Sequence, residues 1–129
     1  MDLDRFSADL LKSLAHPARL RILRTLQADG ESCVCHLETR LGLRQAYLSQ
    51  QLARLRESGL VQDRREGLNV FYTLADADLE QLLGLIQESA RSIAERAEIK
   101  LNRSETAVGT LTACPCPRCQ NITLFSPRL

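Results

Sequence analysis

Five cysteines are the residues of this sequence whose type and spacing could do chemistry. Cys33 and Cys35 flank a single residue, and Cys114, Cys116 and Cys119 form a second cluster with C-x-C-x₂-C spacing. Thiolates at such short spacing can chelate one soft ion, and a helix N-terminus or a neighbouring arginine favours the thiolate form. The same thiols could instead act as a redox switch through disulfide or persulfide chemistry. The pattern therefore predicts metal, metalloid or redox sensing, against the simpler reading of the first pair as small core residues.

Length and composition limit the class of protein. The chain has 129 residues, a length that fits one domain with its own hydrophobic core. Its formal net charge is +1. It contains no apolar run of about 18 residues that could span a bilayer. Its first residues carry acids where a secretory signal needs a basic start. We therefore expect a cytoplasmic protein with reduced cysteines and no membrane partner.

The near-zero net charge conceals a basic segment. Residues 40–65 contain six arginines against Glu57 and Asp63, a net charge of +4, whereas residues 66–98 have a net charge of −5. A basic segment inside a neutral protein is typical of a surface that binds a polyanion. The alternative is a solvated, arginine-rich helix face. The structure of this segment decides between the two.

Helix signals dominate the first hundred residues. The apolar spacing predicts one helix that ends before His16 and four more, at about 17–29, 34–41, 45–58 and 77–101. Two short strands, 61–65 and 70–74, are joined by a turn that contains Gly67 and Asn69, as a hairpin requires. The predicted fold is mainly α with a small β-hairpin. It occupies residues 1–101 and is followed by a polar, cysteine-rich tail, 102–129.

A tight pair of helices followed by a two-stranded wing is an arrangement that reads DNA. The second helix of such a pair enters the major groove, while backbone contacts fix its register. In the fourth helix Leu48, Leu52 and Leu55 share one face, so the polar side chains lie on the other. Glutamine can pair with adenine, and arginine can reach a base or a phosphate. The predicted DNA-contacting residues are six on the fourth helix and two arginines of the wing: Gln45, Tyr47, Ser49, Gln50, Gln51, Arg54, Arg64 and Arg65.

Four segments of the sequence together resemble the ArsR/SmtB family. They are AHPARLRIL at 15–23, ESCVCHL at 31–37, SQQLARLRESGLV at 49–61 and RREGLNVFYTL at 64–74. The resemblance covers most of the chain and implies a homodimeric winged helix-turn-helix repressor. Such a repressor sits on its operator when free and leaves it when an inducer binds. Because a dimer presents two reading helices, a palindromic operator is expected.

The resemblance also implies that the first and last long helices build the dimer interface. The last helix carries an apolar seam that agrees with this, since Ile86 and Ile93 are seven residues apart on one helical face. The predicted interface residues are Leu79, Leu82, Leu83, Ile86, Ala90, Ile93 and Ala97.

Cys33 and Cys35 match the thiolate pair by which the arsenic, antimony, cadmium and lead responsive members of the family hold their inducer. Glu38 stands where arsenic-responsive members often have a third cysteine. Since two sulfurs leave such an ion incompletely coordinated, the tail cysteines are expected to complete the site, in the same or the partner protomer, or to form a separate one. As(III) or Sb(III) is the favoured inducer, with Cd(II), Pb(II) or Zn(II) as alternatives.

Several other functions are not expected. The family's second type of site uses aspartate and histidine on the last long helix, which contains no histidine here. His16, beside a proline, is interpreted as a capping or structural residue, and His36 either as structural or as a ligand. No catalytic set of residues converges, so the protein is not expected to be an enzyme. The alternative function is a redox- or persulfide-responsive repressor of the same fold.

Overall fold

The computed structural model describes residues 1–102. In these residues the elements are α1 (Leu3–Leu14), α2 (Pro17–Asp29), β1 (Ser32–Cys33), α3 (Val34–Leu41), α4 (Gln45–Glu57), β2 (Val61–Glu66), β3 (Asn69–Leu74) and α5 (Ala77–Arg96). The predicted fold class, mainly helical with a small sheet, is confirmed. The division at residue 101 stays a prediction, because the tail lies outside the described residues. No helix of the described part is long and apolar enough to cross a membrane.

Side chains that accept backbone hydrogen bonds fix where the helices begin. Asp2 accepts the N–H of Arg5 at 2.8 Å at the start of α1. His16 Nδ1 accepts the N–H of Ala18 at 3.2 Å at the start of α2, where Pro17 occupies the first turn. The interpretation of His16 as a capping residue is therefore confirmed.

The hydrophobic core lies between the helices and one face of the sheet. Its buried members come mainly from α2, α3, α4 and α5: Ile22, Leu23, Leu26, Leu37, Leu41, Leu48, Leu52, Leu55, Leu79 and Leu83. Burial of side chains of this size contributes about 1.5–3 kcal/mol each. The leucines of α4 thereby hold one face of that helix inward and leave the other exposed.

The sheet has three strands, one more than predicted. The strand order is β1-β3-β2, and both pairings are antiparallel. In this register Phe71 of β3 lies opposite Cys33 of β1 on one side and opposite Arg64 of β2 on the other. The sequence did not reveal β1 because two residues are too few to show the alternation of a strand.

The last helix ends at Arg96, not near residue 101 as predicted. Glu98 adopts a left-handed φ of 56°. The N–H of Ile99 then bonds the carbonyl of Ala94 at 2.8 Å, and the N–H of Glu98 bonds that of Glu95 at 3.2 Å. These two bonds form a Schellman motif, which usually requires glycine or asparagine. Because a glutamate occupies that position, nothing in the sequence marks the helix end.

A cluster of charged and polar side chains ties the end of α2 to α3. His36 Nε2 lies 2.9 Å from Asp29 Oδ2, and Arg40 Nε donates to the same oxygen at 2.8 Å. Burial alone would raise the pKa of Asp29, but the hydrogen bonds to His36 and Arg40 outweigh it and hold the pKa below its ordinary value of 3.8. The ionised carboxylate is therefore part of the folded structure.

We expect Asp29→Asn to lower the free energy of unfolding at pH 7 by about 1–3 kcal/mol, because it leaves the buried His36 and the half-buried Arg40 without their carboxylate partner. The folded pKa of Asp29 is below the unfolded one, so its contribution is complete above about pH 5 and is lost as the pH falls through the folded pKa. Urea unfolding at pH 7 and at acid pH should show that the free energy of unfolding falls less steeply in acid for the variant than for the wild type. The control is Glu88→Gln, at an exposed position. If Asp29→Asn lowers the free energy of unfolding at pH 7 no more than this control does, the stabilising role of Asp29 is contradicted.

Candidate nucleic-acid interface and thiol pair

The helices α3 and α4 form a helix-turn-helix with a three-residue connection. Gly42 ends α3 with a left-handed φ of 65°, and its N–H bonds the carbonyl of Glu38 at 2.9 Å. A glycine favours this conformation because it has no Cβ to clash. The turn, together with the buried leucines of α4, fixes the direction in which the outer face of α4 points.

The outer face of α4 presents most of the predicted DNA-contacting residues. Gln45, Ser49, Gln50 and Arg54 are exposed, and Tyr47 is half-buried. Their side chains lie on the second helix of the pair, the element that enters the major groove in this class of fold. The arrangement can therefore present amide, hydroxyl and guanidinium groups to base edges and phosphates.

The prediction that Gln51 faces outward is wrong. Its side chain is only 6% exposed, and its Oε1 accepts the Nε–H of Arg19 at 2.8 Å. Arg19 also donates to the carbonyl of Ser13 at 3.1 Å, so it links α1, α2 and α4. Gln51 therefore fixes α4 against the other helices and is not presented on the outer face of α4. Its partner is 32 positions away in sequence, which helical periodicity does not reveal.

Ion pairs engage half of the arginines of the basic segment. Arg40 pairs with Asp29, Arg56 pairs with Asp63, and Arg64 pairs with acids near the wing. Among residues 1–102 the remaining three form no ion pair: Arg44, Arg54 and Arg65. Arg44 is a candidate phosphate-contacting residue at the first position of the segment 44–54 predicted to bind DNA, but it is not among the individually predicted contact residues. It is exposed at the N-cap of α4, where its side chain makes no capping bond, and its position directly before the helix was the available signal.

The wing consists of β2, β3 and the turn between them. Its two arginines, Arg64 and Arg65, differ in their contacts. Arg65 is exposed, as a phosphate-contacting residue should be. Arg64 donates to Glu31 at 3.0 and 2.5 Å and to Glu66 at 2.7 Å. Its guanidinium also lies 4.9 Å from the ring centroid of Phe71. These hydrogen bonds, that to Glu31 first, raise the pKa of Arg64 further, so it remains charged, but its donors are engaged within the protein.

The sulfurs of Cys33 and Cys35, here called the thiol pair, lie 2.6 Å apart. Cys33 is buried beside Phe71, and Cys35 packs against both. Cys33 is also the N-cap residue of α3, since its Sγ accepts the N–H of His36 at 3.3 Å. The short strand β1 and the start of α3 thus bring the two sulfurs together, as the spacing predicted.

The thiol pair fits a soft ion by donor type but not by donor number. A closed site for such ions takes three or four ligands. Among the described residues no group of three or more histidine, cysteine, aspartate or glutamate side chains could hold a metal ion. The tail cysteines Cys114, Cys116 and Cys119 lie outside those residues. His36 makes its contact with Asp29 through Nε2 and does not join the two sulfurs in such a group.

The predicted dimer seam divides into two parts. Leu79 and Leu83 are buried in the chain's own core, and Leu82 and Ile86 pack partly against it. Leu79 and Leu83 are therefore covered by the chain's own core and do not face a partner, which corrects the sequence prediction for these two residues; Leu82 and Ile86 stay predicted interface residues. Ile93 is 55% exposed, and Ala90 and Ala97 are exposed as well. The interface role of these three residues stays a prediction, because periodicity cannot tell a face that covers its own core from one that meets a second chain.

The known proteins described next are similar to this chain in sequence or in fold. The family described as "Bacterial regulatory protein, arsR family" matches residues 16–63. A biofilm growth-associated repressor of Agrobacterium fabrum is 53% identical over 76 residues, which are 59% of this chain and less than two thirds, 64%, of that protein. The crystal structure of Rv0081 of Mycobacterium tuberculosis is 37% identical, with a TM-score of 0.67, over 75% of this chain and 98% of that one.

A further relative was solved in solution as a homodimeric winged helix-turn-helix DNA-binding domain from Mycobacterium bovis. It is 37% identical, with a TM-score of 0.63, over 69% of this chain and 82% of that one. The fold and the outer face of α4 define a DNA-binding transcriptional regulator, not an enzyme. The chain belongs to the ArsR family of bacterial regulatory proteins.

We expect Gln50→Ala and Arg54→Ala each to weaken binding to the specific operator by about 1–3 kcal/mol, with little effect on random DNA, since each removes a contact to a base. Gln51→Ala should instead lower the melting temperature, because it leaves the Nε–H of the half-buried Arg19 without its acceptor. Fluorescence anisotropy with both DNAs and thermal unfolding separate the two effects. Equal losses on operator and random DNA for Gln50→Ala would show that it does not read bases.

Proposed function

We propose that the protein is a homodimeric repressor that binds a palindromic operator through α4 and the wing and leaves it when a thiophilic ion binds the thiol pair. As(III) or Sb(III) is the favoured inducer, Cd(II) or Pb(II) comes next, and Zn(II) is a further alternative. One observation supports this above others: the two sulfurs lie 2.6 Å apart at the start of α3, the helix that precedes and packs against α4.

The position of Cys33 suits a sulfur that must bind an ion. The N–H of His36 and the positive end of the α3 dipole both stabilise negative charge on Cys33 Sγ. Soft thiolate ligands prefer soft ions. With arsenite, As(OH)₃, each thiol forms one sulfur–arsenic bond and displaces one hydroxyl group, which leaves as water with the proton of the thiol. Two such exchanges leave one position for a further ligand.

The tail cysteines Cys114, Cys116 and Cys119 are proposed to supply the missing sulfur. About twelve residues separate Leu101 from Cys114, and an extended segment of that length spans up to about 40 Å. That reach covers the thiol pair of either protomer. A bond to the partner's thiol pair would couple ion binding to the spacing of the two α4 helices, whereas a separate tail site would not.

Cys33→Ser and Cys35→Ser should each abolish release of operator DNA by arsenite, because one sulfur cannot chelate the ion. Serine keeps the N-cap acceptor of α3, so affinity for the operator without arsenite should change little. Anisotropy titrations of DNA from upstream of the protein's own gene, at fixed salt, measure both quantities.

Single replacements of the tail cysteines complete this test. Loss of the response in both sets of variants supports a shared site. A response that survives Cys33→Ser and Cys35→Ser but disappears with Cys116→Ser would place the sensor in the tail alone and contradict the proposed role of the thiol pair.

The closeness of the two sulfurs also favours a second function, a redox- or persulfide-responsive repressor. Oxidation of two thiols to a disulfide removes two electrons and two protons, and an oxidant such as diamide accepts them. DNA release by diamide or by a persulfide donor, reversed by dithiothreitol and not produced by arsenite, would identify this function in place of the first.

Dimerisation is proposed through α1 and α5. Each helix exposes large apolar side chains that the described residues leave uncovered: Leu3, Phe6 and Leu11 on α1 and Leu85 and Ile93 on α5. Clusters of exposed apolar side chains mark interaction surfaces. The homodimeric relative of the same fold supports this assignment.

Ile93→Glu should convert the dimer to a monomer, because an unpaired charge buried in an interface costs several kcal/mol. Sedimentation velocity measures the change, and operator affinity should fall with it. Arg91→Glu, roughly on the opposite side of α5, is the matched control and should remain dimeric. An Ile93→Glu protein that sediments as the wild type does would remove this residue from the interface.

A further inference from the structure

We infer that Glu31 is a positioning residue: by binding Arg64 across Phe71 it ties the wing to the strand that contains Cys33, so that occupancy of the thiol pair sets the DNA affinity of the wing. This inference rests on the proposed function, and it names the route by which the thiol pair acts on DNA binding.

The first support is the register of the sheet. Cys33 and Arg64 are the two cross-strand neighbours of Phe71. Residues directly opposite each other in antiparallel strands have their side chains on the same face. Cys33, Phe71 and Arg64 therefore form one row across all three strands. Cys33 and Phe71 are buried together there as a cluster distinct from the main core.

The second support is the ion pair that closes this row. Arg64 extends from β2 over the ring of Phe71, 4.9 Å from its centroid, and reaches Glu31, which stands just before β1. Its Nε and Nη2 donate to the two carboxylate oxygens of Glu31 at 3.0 and 2.5 Å. A two-point contact of this kind fixes orientation as well as distance. A shift of β1 therefore acts on the wing through this side-chain link as well as through the strand pairing.

The third support is what ion binding requires of the sulfurs. In a tetrahedral site with metal–sulfur bonds of about 2.3 Å, two ligating sulfurs lie about 3.8 Å apart. The Sγ atoms of Cys33 and Cys35 are in direct contact, so an ion can bind between them only if at least one of the two side chains moves. Cys33 is packed against Phe71, and close-packed side chains transmit such a displacement. It reaches the ring that supports Arg64 and the strand that Glu31 precedes.

The test uses the full chain with Glu31→Gln, which keeps the shape of the side chain but removes its charge. Two quantities are measured: protection of Cys33 and Cys35 from iodoacetamide by arsenite, read by peptide mass spectrometry, and the ratio of operator Kd with and without arsenite. We expect protection equal to that of the wild type and a Kd ratio reduced about fivefold or more. Arg64→Gln, from the other side of the pair, should give the same result.

Asp63→Asn is the matched control, because it breaks a comparable exposed ion pair, with Arg56 at 3.0 Å, that does not touch the row. Its Kd ratio should stay within about twofold of the wild type. Circular dichroism checks that all variants are folded.

The outcomes separate this inference from the proposed function. If Glu31→Gln and Arg64→Gln keep the wild-type Kd ratio, the positioning role is wrong and the proposed function stands. If Glu31→Gln loses thiol protection as well as the ratio, Glu31 acts on the ion site itself and the inference is overturned. If arsenite neither protects the thiols nor releases DNA in the wild type, both the proposed function and the inference are wrong.

Discussion

Cys33 has two structural roles, one in the sheet and one at the start of α3, and the position of the thiol pair depends on both. Its residue pairs with Phe71 in the sheet, and its sulfur caps the first turn of α3. The strand pairing joins the helical part of the molecule to the wing, while the cap fixes where α3 starts and therefore where α4 follows. A single residue thus sets the position of both DNA-facing elements relative to the thiol pair.

The electrostatics of the DNA-facing side depend on which charges are already engaged. The formal charge of +4 in residues 40–65 suggests a uniformly basic surface. Ion pairs to Asp29, Asp63, Glu31 and Glu66 instead leave the basic character concentrated at the start of α4, on its outer face and on the wing. Contacts of such separated positive groups with phosphates can fix the orientation of the protein on DNA.

Much of the fold could be predicted from the sequence because its signals are local. Capping residues, the glycine of the helix-turn-helix and the 3.6-residue apolar spacing gave all five helices and the hairpin, and the spacing of Cys33 and Cys35 predicted their proximity. The errors share one cause, which is dependence on distant partners or on unusual backbone. Gln51 is buried because Arg19 meets it, and β1 is a strand only because β3 pairs with it. The end of α5 depends on the left-handed backbone conformation of Glu98.

The capping hydrogen bond at Cys33 adds a free-energy cost to ligand binding at this sulfur. A ligand that draws Cys33 Sγ away from the N–H of His36 removes a helix cap, and caps of the usual residue types are worth about 1 kcal/mol. That loss corresponds to about a fivefold decrease in apparent affinity. Under the proposed function, the bonds of the ion to sulfur must offset this loss, which favours thiophilic ions over ions that prefer oxygen ligands. In the proposed function, the cap at the start of α3 would therefore contribute to ion selectivity without a further residue.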